Sequence, residues 1–369
     1  MKYSLFIVIG VVMCSKSWGK AEPFPALSEH TSPLVVLCYH QFGNQDKVKG
    51  RKNPYKISSA DFLWQMEYIK NHGITPVTMQ QVENYFLKGK ALPPHPVLLT
   101  FDDGYRSIYL KAYPILKRLH FPGVLFIYSD FIRYQGPLCL KYSDIRTMMK
   151  NGLVVESHSK SHPNFEIARR KLGSVNYPKF VTEQVEEPIH FIFKHFGVIP
   201  KVFAYPYGIY DPVILSALQK AGYKLGFTVN YGNNDRSVPL LMLKRNMVTT
   251  WVSKQDFERY FKMRVLHLAD CFPMDGQAIY TQEPTICMKI INPIQASSLK
   301  LLSNTRSIPF QYDSITGILT CVISRPMWYG GHQLTVFARN NQNQKLEYSW
   351  YFQIVHPAKT VPQNLRSNE

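Results

Sequence analysis

The sequence predicts an α/β protein, an irregular (β/α)7–8 barrel followed by a small all-β sandwich, and three observations carry that prediction. Short apolar runs at 34–40, 96–101, 123–128, 153–157, 201–205, 224–229 and 243–248 alternate with amphipathic helical stretches, the pattern of parallel strands joined by crossover helices. Three of these runs open directly into polar residues, and α/β folds gather their chemistry at the carboxyl ends of strands. After about residue 270 the rhythm changes to short β-rich segments separated by Gly, Pro, Asn and Asp clusters, as in a sandwich.

Taken in order, the chain begins with Lys2, an apolar run at 5–13 and then small residues, which reads as an export signal over 1–19 with cleavage after Gly19 or Ala21. The apolar run is short for a membrane span. Cys14 raises a lipid anchor, but Met13 stands where such sites want a small residue. Soluble export to the periplasm, cell surface or exterior is therefore expected, with no transmembrane helix after signal removal. The barrel is expected over 33–270. Its helices are predicted at 107–119, at 142–150 with Ser143 as N-cap, at 180–196, and at 212–221, which starts on Pro212 and stops before Gly222. No repeat or low-complexity tract interrupts it.

The chemistry-bearing segments follow three strands. Thr100-Phe101-Asp102-Asp103-Gly104 delivers two adjacent carboxylates from an apolar strand and turns on glycine; by itself such a triplet also describes a solvated turn. Fifty residues on, 153–157 runs into His158-Ser159-Lys160-Ser161-His162. On a helical turn, the i, i+4 spacing would put both imidazoles on one face, within reach of one metal ion. A third strand, 201–204, opens into Tyr205-Pro206-Tyr207-Gly208, rigid at the proline and free to turn at the glycine. The first strand ends on His40; a lone histidine at a strand end is more often structural, but its position beside the other strands also makes it a site candidate.

With these three segments in this order, the region from about 33 to 262 resembles the polysaccharide deacetylases, carbohydrate esterase family 4, which share the NodB homology domain. The resemblance implies a barrel, often incomplete, and metal-dependent hydrolysis of N-acetyl groups. It makes Asp103, His158 and His162 the metal ligands, Asp102 the general base, and the backbone N–H of Tyr207 a donor to the oxyanion. Zinc is the first choice for two imidazoles and a carboxylate, with cobalt, nickel or copper able to occupy such a site. Two departures stand out. The family's third motif begins with an arginine that pairs with the base, and this chain has Ala204. Arg245 is a candidate to replace it from a neighbouring strand, although an arginine there more often serves on the surface or in a salt bridge. The family's fifth motif, a Leu-x-x-His-like segment that gives the general acid, has no clear counterpart in this chain: His267 lies near the domain boundary, and His40 is better placed. The motif form is nearest the branch that partly deacetylates poly-β-1,6-N-acetylglucosamine in biofilms.

The β-rich region 272–358 is expected to be immunoglobulin-like, serving in glycan or partner binding or as a spacer, with a disordered tail at 359–369. A Cys287–Cys321 disulfide is the preferred pairing across it. The cysteines show no Cys-x-x-Cys spacing, which argues against a structural zinc cluster. Net charge is +18, and losing Lys2 and Lys16 with the signal leaves +16. So basic a chain is drawn to an anionic envelope surface, while the absence of a nucleic-acid motif argues against that partner. The expected substrate is an acetylated amino-sugar polymer: poly-N-acetylglucosamine, peptidoglycan or chitin-like. Two alternatives stay open, an O-acetyl esterase using the same residues and a catalytically weakened glycan-binding or scaffold protein.

Overall fold

A run such as Val35-Val36-Leu37-Cys38-Tyr39, apolar at every position, can be a strand only where both of its faces are covered. The computed structural model meets that condition. It describes residues 32–44, 47–48 and 51–356; the expected signal and tail lie outside them. The first sheet contains β1 (Val35–Tyr39), β2 (Thr75–Pro76), β3 (Pro96–Asp103), β4 (Gly123–Ile127), β5 (Leu153–Ser157), β6 (Val202–Ala204), β7 (Leu225–Phe227) and β8 (Asn246–Met247). All pair in parallel, in the order β7-β6-β5-β4-β3-β1-β8, with β2 beside β3. The segment 243–247 brings the two edges of this sheet together. Leu243 bridges to Phe227 of β7, while Asn246 and Met247 pair with Leu37 and Cys38 of β1. The barrel is thus closed through one irregular strand.

Alternate residues serve the two faces. Val36, Leu98, Val124, Phe126 and Phe227 cluster with Val82 and Phe86 of the helix Met79–Lys88. Their neighbours Leu37, Leu99, Phe101 and Leu125 pack against Phe62 and Met66 of the helix Ser59–Asn71 and Ile145 of the helix Tyr142–Met149.

The helices at 212–221 and 142–150 form nearly as predicted, and three details differ. Tyr142–Met149 is capped by the Asp144 carboxylate, which accepts from the Lys141 backbone N–H at 3.1 Å, so Ser143 lies inside the helix. The stretch 107–119 is split into a π-helical turn, Ile108–Ala112, and an α-helix, Tyr113–Leu119. Pro114 explains the widening, because its ring would collide with the carbonyl four residues back in a regular α-turn. The helix predicted at 180–196 runs over Phe165–Phe196, interrupted at Gly173 (φ 69°). A glycine tolerates that conformation, so the two halves join without a loop.

Beyond Arg264 the chain is strand-rich. One sheet follows the order Arg264–Val265, Lys345–Ile354, Gly330–Arg339, Lys300–Ser303, Arg306–Ser307; the other follows Leu268–Phe272, Thr285–Ile290, Ile318–Val322, Gln311–Asp313. Ile286, Met288 and Leu319 of one sheet share a core with Leu334, Val336, Trp350 and Phe352 of the other. The expected Cys287–Cys321 disulfide does not form, and both cysteines are free thiols. The register explains why. Cys321 lies opposite Ile286, and Cys287 lies opposite Thr320, so the two side chains leave opposite faces of the sheet.

Candidate active site

Two neighbouring residues on a regular strand point to opposite faces, so Asp102 and Asp103 can share a site only if the strand is bent between them. Asp103 has φ 72° and Gly104 has φ 86°, and the Gly104 N–H donates to the Asp102 carbonyl at 2.9 Å. Aspartate tolerates this left-handed region better than most residues. The φ of 86° favours glycine at 104, and a Cβ there would also crowd Ile132 Cδ1 at 2.7 Å and Ile127 Cγ2 at 3.2 Å.

The histidines reach Asp103 by another route than the expected helical turn. His158 continues from β5, and 158–162 is an irregular loop with Ser159 and His162 at φ 74° and 53°. The Ser159 Oγ accepts from the His162 N–H at 2.9 Å, and Gln184 Oε1 accepts from the Ser161 N–H at 2.9 Å. These bonds hold the loop without helical ones. Nε2 of His158 and Nε2 of His162 lie 3.4 and 3.3 Å from Asp103 Oδ1. His158 Nδ1 is 2.8 Å from the Ala204 carbonyl, which can only accept; Nδ1 therefore carries a proton, and Nε2 is the nitrogen left to face Asp103 and to coordinate.

This arrangement fits a metal ion. Asp103 Oδ1 is buried without a hydrogen-bond partner, and the donor atoms of Asp103, His158 and His162 lie within 4.8 Å of one another. Burial first, and His158 next, push the His162 pKa down to about 4, leaving its nitrogen free to coordinate near neutral pH. Two imidazoles and one carboxylate suit a catalytic zinc or a similar ion with open positions.

Arg245 answers the absence of an arginine at 204. Fully buried, it sets Nη1 2.7 Å from Asp102 Oδ1, and its Nε donates to the Thr228 carbonyl at 2.8 Å. Burial alone would raise Asp102, but Arg245, then His158 and His40, hold its carboxyl well below the ordinary range. Asp102 is therefore an ionised acceptor beside the histidines and Asp103, 3.8 Å from His158 Nε2.

Residues 89–226 match the polysaccharide deacetylase family. The chain carries a polysaccharide deacetylase domain. The poly-β-1,6-N-acetyl-D-glucosamine N-deacetylase of Staphylococcus aureus is 26% identical over 257 residues, covering 64% of this chain and 87% of that protein. A putative polysaccharide deacetylase of Bacillus subtilis is 24% identical over 235 residues, covering 64% of this chain and 78% of its own. Among solved structures, IcaB from Ammonifex degensii superposes with a TM-score of 0.53 at 26% identity, covering 62% of this chain and 96% of that one. The Streptococcus pyogenes deacetylase PplD in complex with acetate shares the fold at a TM-score of 0.57 and 22% identity, covering 63% and 99%.

His40, immediately after β1 and outside the matched residues, lies beside Asp102. Donor atoms of Cys38, His40 and Asp102 fall within 4.8 Å of one another, and His40 Nδ1 is buried without a partner. Burial lowers its pKa despite the nearby carboxylates. Tyr207 has φ 58°, and its ring centroid lies 4.7 Å from that of His162. His267 is elsewhere, bonded through Nε2 to Asp235 at 2.7 Å. Sequence reasoning passed over Cys38, whose thiol reaches Asp102 at 3.5 Å, and Gln184, which braces the histidine loop. A buried glutamine on an otherwise apolar helix face was the available signal for Gln184; nothing local marked Cys38.

Proposed function

We propose that this protein is a metal-dependent N-deacetylase of an exported, acetylated amino-sugar polymer, with poly-β-1,6-N-acetylglucosamine as the first substrate to test. The observation that carries this reading is the division of labour between adjacent acids: Asp103 with His158 and His162 on one side, Asp102 clamped by Arg245 on the other. A divalent metal held by Asp103, His158 and His162, zinc first and cobalt or nickel as alternatives, would supply Lewis acidity and lower the pKa of a water.

The chain's own residues would do the rest. Asp102, ionised and oriented by Arg245, takes the proton as water oxygen attacks the acetyl carbon. The Tyr207 backbone N–H donates to the developing oxyanion. His40, within reach of Asp102, is the candidate to pass a proton to the departing nitrogen as the C–N bond breaks, releasing acetate and a free amine. The homologue names, and the export signal expected at 1–19, support an envelope or extracellular polymer as substrate; among the described residues no helix is long and apolar enough to cross a membrane. Arg245 beside Asp102 favours this reading over a catalytically weakened binding protein, and an O-acetyl esterase would share the site.

The test is acetate release from β-1,6- and β-1,4-linked N-acetylglucosamine oligomers and from an O-acetylated glycan. The protein is metal-stripped, then reconstituted with zinc, cobalt or nickel, with Asp102→Asn as control. Metal-dependent release from an N-acetyl oligomer, lost in the control, is expected. Release from the O-acetyl glycan alone would convert the reading to an esterase, and no release from either would refute hydrolysis.

A further inference from the structure

The strand-rich region reaches the edge of the active site. Strands Lys300–Ser303 and Arg306–Ser307 are joined by Asn304 and Thr305, both at positive φ (46° and 76°). Such two-residue turns make the tight hairpins that twist with their strands. This turn puts Asn304 on the border of two cavities. The first, about 270 Å³, has Tyr207 and Tyr231 of the deacetylase domain on one side and Asn304 and Gln333 on the other. The second, about 650 Å³, shares Asn304 and extends to Trp328. Because the Tyr207 ring that lines the first cavity packs on His162, that cavity is one side chain away from the candidate metal ligands.

The connection is held in place by hydrogen bonds. The Asn230 carbonyl accepts from the Arg245 N–H at 3.1 Å, and its side-chain oxygen accepts from Gln333 Nε2 at 3.3 Å. The Gln333 backbone N–H donates to Asn304 Oδ1 at 2.8 Å, and Asn304 Nδ2 lies 3.1 Å from His332 Nδ1. The His332 ring in turn packs 4.5 Å from that of Trp328. A continuous set of contacts therefore runs from the arginine that orients Asp102 to a tryptophan that is 57% exposed.

We propose that the strand-rich region supplies outer subsites of the substrate cleft, binding the uncharged, still-acetylated stretch of an amino-sugar polymer while another of its residues is hydrolysed at Asp102. This rests on the N-deacetylase reading. Three exposed aromatics, Tyr207, Tyr231 and Trp328, offer flat faces to the apolar faces of sugar rings, and the amides of Asn304 and Gln333 suit hydroxyl and acetamido groups. Arg306 and Arg325 line the second cavity, so a chain already carrying ammonium groups is repelled from it and an acetylated chain is not.

The experiment uses the full chain and a series of N-acetylglucosamine oligomers from dimer to octamer. Trp328→Ala should raise KM about tenfold for the longest members, with kcat unchanged and the dimer unaffected, and Trp328→Phe should restore most of the loss. A KM that is unchanged at every length, or a loss equal at every length, would overturn the assignment. Direct binding to Asp102→Asn protein separates the two levels of the argument. If no oligomer is hydrolysed but long acetylated oligomers bind and Trp328→Ala abolishes this, the deacetylase reading fails and the subsites stand; if binding shows no length dependence, the subsites fail. Equally tight binding of fully deacetylated oligomers would also overturn the proposal.

Discussion

Replacing Arg245 with methionine tests whether this residue carries the function that Ala204 lacks. The guanidinium and Asp102 are both buried, with 2.7 Å between Nη1 and Oδ1. At that separation and an effective dielectric constant of about 20, the attraction is about 6 kcal/mol, against which stands the cost of taking both charges from water. Removing one member leaves an uncompensated buried carboxylate, and stability should fall by about 3–5 kcal/mol. The assay is urea unfolding of metal-free protein, extended to Asp102→Asn and the double variant. With Asn at 102 no charge is stranded, so the double variant should be more stable than Arg245→Met alone. The pH sign follows. In the parent, Asp102 is held below its unfolded value, so its contribution is present above about pH 4 and is lost as pH falls through the lower folded value. Without Arg245, burial dominates and raises the folded value above the unfolded one. That penalty grows as pH rises from about 4 toward the raised value, so the difference between variant and parent should narrow on acidification. An Arg245→Met protein within about 0.5 kcal/mol of the parent at pH 7, or strictly additive effects of the two substitutions, would refute the buried pair as described.

Three further outcomes are expected. His158→Ala should weaken metal binding by at least about 100-fold, beyond the range of outer-shell substitutions, while Asp102→Asn keeps stoichiometric metal and loses turnover; metal titration followed by acetate assay distinguishes them, and equal metal loss would contradict the roles given to the two acids. Ala204→Arg should not raise the rate: position 204 is fully buried and Arg245 already pairs with the base, so overpacking should cost about 1–3 kcal/mol or more in denaturant unfolding, and a faster enzyme would contradict this account. Gly208→Ala should lower the melting temperature and impair turnover, because φ is 70° and a Cβ would stand 2.3 Å from Val229 Cγ2 and 2.9 Å from the Val229 backbone nitrogen. With overpacking of about 1–3 kcal/mol expected there, an unchanged melting temperature would show that the loop shifts freely.

Much of the fold was legible because its signals are local. Apolar runs bounded by glycine and proline became β1, β3, β4 and β5, and the Asp211-Pro212 start and Gly222 stop bracket a helix at Pro212–Ala221. Adjacent acids after one strand, paired histidines after a later one and Tyr205-Pro206-Tyr207-Gly208 after a third were enough to pick out the segments that the fold brings together. What remained hidden depends on the path of the chain through space. His158 and His162 meet Asp103 through a loop braced by Gln184, so the residues that the helical reading of their spacing put together do come together, by an irregular loop and not a helical turn. Cys287 and Cys321 looked like a pair until the strand register sent them to opposite faces. Arg245 lies 143 positions from Asp102 and resembles any basic residue in a strand; the closure of the barrel through 243–247 is what carries it to Asp102. Sequence by itself determined which side chains are available and where backbone turns are permitted, because those depend on side-chain chemistry and local sterics. Tertiary structure alone decided which charge neutralises Asp102 and which surface borders the site, because a buried ion pair and a shared cavity exist only when distant segments are brought within a few ångströms.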